Sequence, residues 1–279
     1  MLAPLDNETI FKKAFTDKIV FLQFVKDVLG IEIEVDKIET EKKFEPKIGD
    51  IDISYDIFAE STDHRVIIEI QKIDYDYNFD RFLHYHIMAV AQLQRSAKEY
   101  KIEQTVYTII VLTAPYKINQ KTGEPIKDEV MISSVDPRNL GGKTVNIYGH
   151  QLIFLNPHYR TKDTPENYLD WLDLMYESVH NPENYHVNLK NKGVEKVVEL
   201  IDYDKLSPEA VHLMKVSEQK KAMRKIVENE GFEKGKKEGI EEGLKKGKIE
   251  MAKAMKEEGE PLEKISKFTG LSKEEIKKL

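Results

Sequence analysis

Asp56, Glu69 and Gln71 are the residues of this chain whose types and spacing best suit chemistry. Ile51, Ile53, Tyr55 and Ile57 alternate with Asp50, Asp52, Ser54 and Asp56. That period of two predicts a strand over 50–59 with Asp56 on its polar face. Glu69 and Gln71 are two apart and share one face of a second predicted strand, 65–71 (RVIIEIQ). Ser61-Thr62-Asp63-His64 reads as the turn between them, so the pair predicts a β-hairpin. Two carboxylates converging in an apolar neighbourhood need a countercharge. A hard divalent cation with oxygen ligands supplies one, and Mg²⁺ held there can polarise a phosphodiester and generate hydroxide. On pattern alone a second reading stays open, in which both acids are outward residues of a polar sheet face.

The elements that must position these residues run in a recognisable order. Ile10, Phe11, Ala14, Phe15, Phe21, Leu22, Phe24, Val25, Val28 and Leu29 recur at near-helical spacing. They predict a helix over 8–29, with Asp17 as a break inside it and Gly30 as its stop. Ile31, Ile33 and Val35 give 31–43 a β-like or irregular character. A helix is predicted over 78–100, then a buried strand over 105–114, TVYTIIVLTA, from its continuous β-branched run. Further strands are expected at 130–135 and 144–155. This succession implies an α/β fold with a mixed sheet flanked by helices.

From Thr164 onward the chain reads as helical. Thr164-Pro165-Glu166 and Ser207-Pro208-Glu209 are start signals, and 191–201 is a further helix. Gly231, Gly235, Gly239, Gly243 and Gly247 then recur every fourth residue among Glu and Lys. Each glycine costs a helix about 1 kcal/mol relative to alanine. A frayed helix and a solvated linker are therefore both open readings. Ser272-Lys273-Glu274-Glu275 is a capping box opening the last helix, and ISKFTGLSKEEIKKL has helix-turn-helix character.

Composition narrows the classes. The chain has 279 residues and no cysteine, which excludes disulfides, thiolate metal sites and a thiol nucleophile. The eight histidines show no zinc-ligand spacing. Residues 1–10 lack the apolar run of a secretory signal, and no stretch approaches the length of a membrane span. A soluble cytoplasmic protein with no membrane partner is expected. The net charge is −7, but it is uneven. Residues 218–279 carry 17 basic and 14 acidic side chains, whereas 1–217 carry 26 and 36. An acidic body does not attract nucleic acid by bulk charge, so any such contact must use local basic groups, bound cations or the tail.

ETIFKKAF, YDIFAE, VIIEIQ and FDRFLHYH, in that order, resemble the Rpn family of recombination-promoting nucleases and transposases, within the PD-(D/E)XK nuclease superfamily. The glycine-repeat tail and its ISKFTGLSKEEI ending resemble that family too. The resemblance implies a restriction-endonuclease-like core and Mg²⁺-dependent cleavage of DNA, with other divalent cations tolerated. It places the family's Asp on Asp56, its E-x-Q on Glu69-Ile70-Gln71, its N-terminal acid on Glu8, and its next helix's Arg and Tyr on Arg81 and Tyr85. On that basis Asp56, Glu69 and the Ile70 carbonyl are expected to hold the metal, with Glu8 in support. Gln71 is expected, on the same resemblance, to orient the attacking water. Arg81 and Tyr85, four apart on one helix face, contact phosphate or orient Glu69, or are simply a surface arginine stacked on a tyrosine. Gln71 stands where the superfamily usually has lysine and cannot take a proton. Lys72 is expected on the opposite face.

The expected organisation is a nuclease-like core at 1–160, a helical accessory region at 161–229, the glycine-repeat segment at 230–248 and a small helical tail at 249–279. A homodimer is expected, since cutting both strands of DNA needs two sites. The alternative is a catalytically degenerate core acting in DNA binding or self-assembly through its tail. An RNA-directed nuclease would be a third class, but no RNA-reading motif is present.

Overall fold

A computed structural model describes residues 1–44, 53–71, 79–93, 102–116 and 122–279. The chain divides into two compact units, Met1–Ser217 and Glu218–Leu279.

The first unit opens with two helices where one was expected. α1 (Glu8–Phe15) is capped by the Asn7 side chain, and α2 (Lys18–Leu29) by that of Asp17. Asp17 is the predicted break: its carboxylate accepts from the Ile19 and Val20 amides and starts a new helix. Gly30 closes α2 at φ +69°. β1 (Ile38–Phe44) follows, later than the alternation of Ile31, Ile33 and Val35 suggests. Ile33 and Val35 are buried without strand pairing.

β2 (Ile53–Glu60) and β3 (His64–Gln71) form the predicted antiparallel hairpin. α3 (Phe79–Ala91) leads to β4 (Thr105–Leu112), which is buried from Thr108 onward. The rest of the helix predicted to residue 100 lies largely outside the described residues, as do Asp50, Asp52 and Lys72. β5 (Val130–Ser134) and β6 (Gln151–Leu155) complete the sheet. The strand expected from Thr144 starts only at Gln151, because Asp136 gathers the intervening chain. Its Oδ1 accepts from the Ile147, Tyr148 and Gly149 amides at 2.8, 2.7 and 3.1 Å.

Among the described residues the sheet has six strands in the order β1-β2-β3-β4-β6-β5. β3, β4 and β6 run parallel, and the outer pairings are antiparallel. α4 (Glu166–His180) and α5 (Lys192–Ile201) join α1 and α2 over one face. Phe11, Phe15, Phe24 and Trp171 interlock at the centre of that layer, with Phe24 and Trp171 edge-to-face at 4.9 Å. Phe82, Tyr85, Met88 and Ala89 of α3 cover the other face. The result is a mixed sheet between helical layers, the restriction-endonuclease-like class expected.

α6 (Pro208–Glu257) begins in the first unit and runs on through all five repeat glycines. In the second unit α7 (Leu262–Thr269) and α8 (Lys273–Lys278) follow it. The Ser272–Glu275 capping box is present, and Ala252, Ile265 and Ile276 form the small core. Among the described residues no helix is long and apolar enough to cross a membrane.

Candidate functional site

Asp56 and Glu69 lie directly across from each other where β2 and β3 separate. The backbone ladder between the strands ends at Ile57 and Ile68, the next pair along. Beyond that rung the side chains take over. The Asp56 amide donates to Glu69 Oε1 at 2.9 Å, and the Ile70 amide donates to Asp56 Oδ2 at 3.1 Å. Each carboxylate is therefore held by the other's strand, leaving Asp56 Oδ1 to point elsewhere.

That oxygen meets Lys12 of α1, whose Nζ is 3.0 Å away. Lys12 also pairs with Glu8 at 2.6 Å, one turn back on the same helix, and with Glu41 of β1. Oxygens of Glu8, Glu41 and Asp56 all lie within 4.8 Å of one another. The Lys12 ammonium thus fills the centre of three carboxylates, where positive charge is most favourable. Burial disfavours its charge, but Asp56, Glu41 and Glu8 outweigh that and raise its pKa above the ordinary value. The Lys12 hydrogen bond likewise holds the Glu41 carboxyl below its usual range, against burial.

Glu41 occupies a special backbone position. It would pair with Asp56 in the β1–β2 register, yet that rung is missing while the register continues on either side. Its φ is +53°, the left-handed region, and no other described non-glycine residue shares it. Such a conformation costs on the order of 1 kcal/mol or more, and it turns the Glu41 side chain toward Lys12. Opposite it, the predicted alternation of β2 slips. Ile53 and Tyr55 pack in the same cluster as Phe58, whereas Ile57 and Ala59 pack in the other layer. Asp56 sits at the slip.

Glu69 is 5 % exposed. Burial, and then the charge of Asp56, push its pKa well above the usual carboxylate range. Burial also raises that of Asp56, partly offset by Lys12 and the Ile70 amide. Two adjacent carboxylates, one buried and one half-buried, with elevated pKa values are under-neutralised acids, and oxygen donors of this kind fit a divalent cation. On the α3 side, Arg81 donates to the Tyr85 hydroxyl at 2.9 and 3.1 Å and to Gln71 Oε1 at 3.4 Å. Its guanidinium lies 5.1 Å from the Tyr85 ring centroid. The Arg–Tyr pair read from spacing is therefore joined to Gln71 as well.

The structure brings Asp56, Glu69, Ile70, Gln71 and Glu8 to one end of the hairpin, with Arg81 and Tyr85 reaching it through Gln71. Sequence reasoning gave no role to Lys12 or Glu41. The i,i+4 spacing of Glu8 and Lys12 was the available signal for the first. For Glu41 the decisive feature is a backbone angle, which residue type does not announce.

A family model described as PD-(D/E)XK nuclease family transposase matches residues 7–230, from the cap of α1 into α6. No curated protein and no solved structure matches the chain.

Proposed function

We propose, from the premise that this chain belongs to the PD-(D/E)XK nuclease family transposases, that it is a Mg²⁺-dependent endonuclease hydrolysing DNA phosphodiester bonds in recombination or mobile-element movement. The observation that carries this reading is the reciprocal hold on Asp56 and Glu69, which presents a half-buried and a buried carboxylate side by side. A divalent cation at this place supplies Lewis-acid polarisation of the phosphate and a lowered pKa for bound water.

The chain's own residues would divide the remaining work. Asp56, Glu69 and the Ile70 carbonyl offer the oxygen donors, and Glu8 and Glu41 stand close enough to hold the water around them. Lys12 offsets the negative charge of that cluster and favours the ionised form of Asp56 against the effect of burial. Gln71, with no proton to take, positions water or a phosphate oxygen by hydrogen bonds. Arg81, fixed against Tyr85 and Gln71, gives a cation for the phosphate in a first unit that is otherwise acidic. The reading places the protein in the cytoplasm, acting as a homodimer so that both strands are cut.

Plasmid nicking tests it. Wild type should cut with Mg²⁺ and not with chelator. Asp56→Ala should lose more than about 100-fold, the upper end of what losing a ligand's supporting partner costs. Normal cutting by that variant would refute the site. A folded wild type that cuts nothing across metals and salts would instead favour DNA binding or assembly through the helical tail.

Metal linkage gives a check independent of turnover. The Glu69 pKa is raised, so without cation its contribution to stability is present at low pH and fades as pH rises through the raised value. A cation that favours the ionised form opposes that loss. The Tm gain from Mg²⁺ should therefore grow with pH above the usual carboxylate range; a gain that shrinks with pH would count against binding here.

A further inference from the structure

We infer that the β5 edge of the sheet is a docking surface for a second copy of this chain, β5 pairing antiparallel with β5 about a two-fold axis. This rests on the homodimer part of the reading above and gives it a surface; it does not depend on cleavage.

Among the described residues the sheet ends in β1 on one side and β5 on the other. An open strand edge invites another strand, and proteins normally blunt it with charge, proline or distortion. β1 is blunted. Its sequence IETEKKF carries four charges in seven residues, and the positive φ of Glu41 interrupts it midway. β5 has none of these devices. VMISS holds no charge, proline or glycine, and its register against β6 is unbroken from Val130 to Ser134. With Val135 the uncharged run reaches six residues, and Ile132 and Val135 are 52 % and 51 % exposed. Among the described residues no strand pairs with its outer side.

Hydrogen-bond direction fixes what that outer side offers. The Asn156 amide donates to the Glu129 carbonyl at 2.8 Å, and the Val135 amide donates to the His150 carbonyl at 3.1 Å. In an antiparallel ladder the bonded positions alternate. Glu129, Met131, Ser133 and Val135 therefore turn their backbone groups to β6, and Val130, Ile132 and Ser134 turn theirs outward. A row of outward N–H and C=O groups spaced by two residues is self-complementary to its own copy run antiparallel.

The side chains beside the edge agree. An apolar groove of about 330 Å³ runs along it, lined among others by Phe79, Leu83, Ile126, Met131, Leu152 and Phe154. Leu83 and Ile87, one turn apart on α3, are 47 % and 52 % exposed. Pairing across the edge would extend the sheet under this groove and lay the copy's Met131 and Ser133 beside it. Charge selects the occupant. Residues 1–217 carry ten more acidic than basic side chains, so two copies repel except along an uncharged strip. Of the two sheet edges, only β5 is such a strip, and the strand that matches it is β5 itself.

The test uses the full chain at micromolar concentration. Sedimentation should give a dimer mass, and hydrogen–deuterium exchange at Val130, Ile132 and Ser134 should slow as concentration rises. Ile132→Pro removes an outward amide and leaves the pairing with β6 intact, a position where edge strands tolerate proline. Ile132→Lys adds charge to the strip. Each should weaken dimerisation by at least about 10-fold, a loss of about 1.4 kcal/mol or more. Circular dichroism of both variants should match wild type, and the lysine variant keeps the test open if proline perturbs the strand. A monomeric wild type overturns the inference and leaves the edge to a different chain. So does a dimer that survives both substitutions, which would place association elsewhere. A dimer broken by both variants, from a protein that cuts no DNA, would support this surface while sinking the nuclease reading.

Discussion

Gly193 in α5 and Gly239 in α6 are both helical glycines, and they differ in what surrounds them. A Cβ on Gly193 would fall 2.8 Å from Trp171 Cη2 and 2.8 Å from Gln23 Cβ, so α5 can approach α2 and α4 only because the side chain is missing. A Cβ on Gly239, or on any of the other four repeat glycines of α6, would meet nothing within 4 Å among the described residues. The first unit is limited by packing density, with Phe15, Phe24 and Trp171 filling its helical layer. The second relies on local helix energetics, with i,i+4 pairs such as Glu242 and Lys246 at 3.5 Å, and on a small core around Ala252, Ile265 and Ile276. Stability in one region is tertiary; in the other it is mostly helical propensity.

Protonation of His86 is the largest single effect expected and acts on the first unit alone, opposed in acid by Glu69 and Asp56, whose raised pKa values favour low pH. His86 is 2 % exposed, its Nδ1 lies 3.0 Å from Thr108 Oγ1, and burial lowers its pKa to about 4. A depressed histidine favours the neutral form in the fold. Its contribution is whole above the unfolded value near 6.5 and is lost as pH falls toward 4, roughly 3 kcal/mol in all. The chain's single tryptophan, Trp171, reports the first unit in urea unfolding. His86→Gln should flatten the pH dependence of that transition; an unchanged slope would remove His86 from the account.

Gly193→Ala should destabilise the same transition by about 1–3 kcal/mol, the usual cost of overpacking. If it is neutral, the close approach of α5 is softer than the distances imply. Gly239→Ala should act in the opposite direction, adding about 0.5–1 kcal/mol to the helix of the second unit. Far-UV circular dichroism would follow it, and a loss of helicity would mean that the glycine stripe is already in use.

The parts of this molecule that are legible in sequence are those whose signal is local. β3 and β4 declare themselves by β-branched runs, and the Asp56–Glu69 hairpin by alternation about a turn. Asp17 and Ser272 mark helix starts because their side chains do the capping. Lys12 escapes because its partners come from three separate elements, α1, β1 and β2. The left-handed φ of Glu41 has no residue-type signature. The start of β1 is obscured because Ile33 and Val35 alternate for burial without pairing. α6 reads as three pieces because its composition changes abruptly, although the helix does not.

The first residues of the chain are fastened by some of the last in the first unit. The Leu2 amide donates to the Pro182 carbonyl at 2.9 Å and the Ala3 amide to the Ile201 carbonyl at 2.8 Å. The Leu5 amide donates to Ser178 Oγ at 3.2 Å. α1, which carries Glu8 and Lys12, follows directly. During synthesis this helix emerges before α4 and α5, which complete the packing around it, and contacts of such sequence separation form slowly. The order of translation therefore delays the final fastening of α1, though not the Lys12 partners Glu41 and Asp56, until most of the first unit exists. Chains arrested before Ser178 should be protease-sensitive through α1, and chains arrested beyond Ser217 should be protected there.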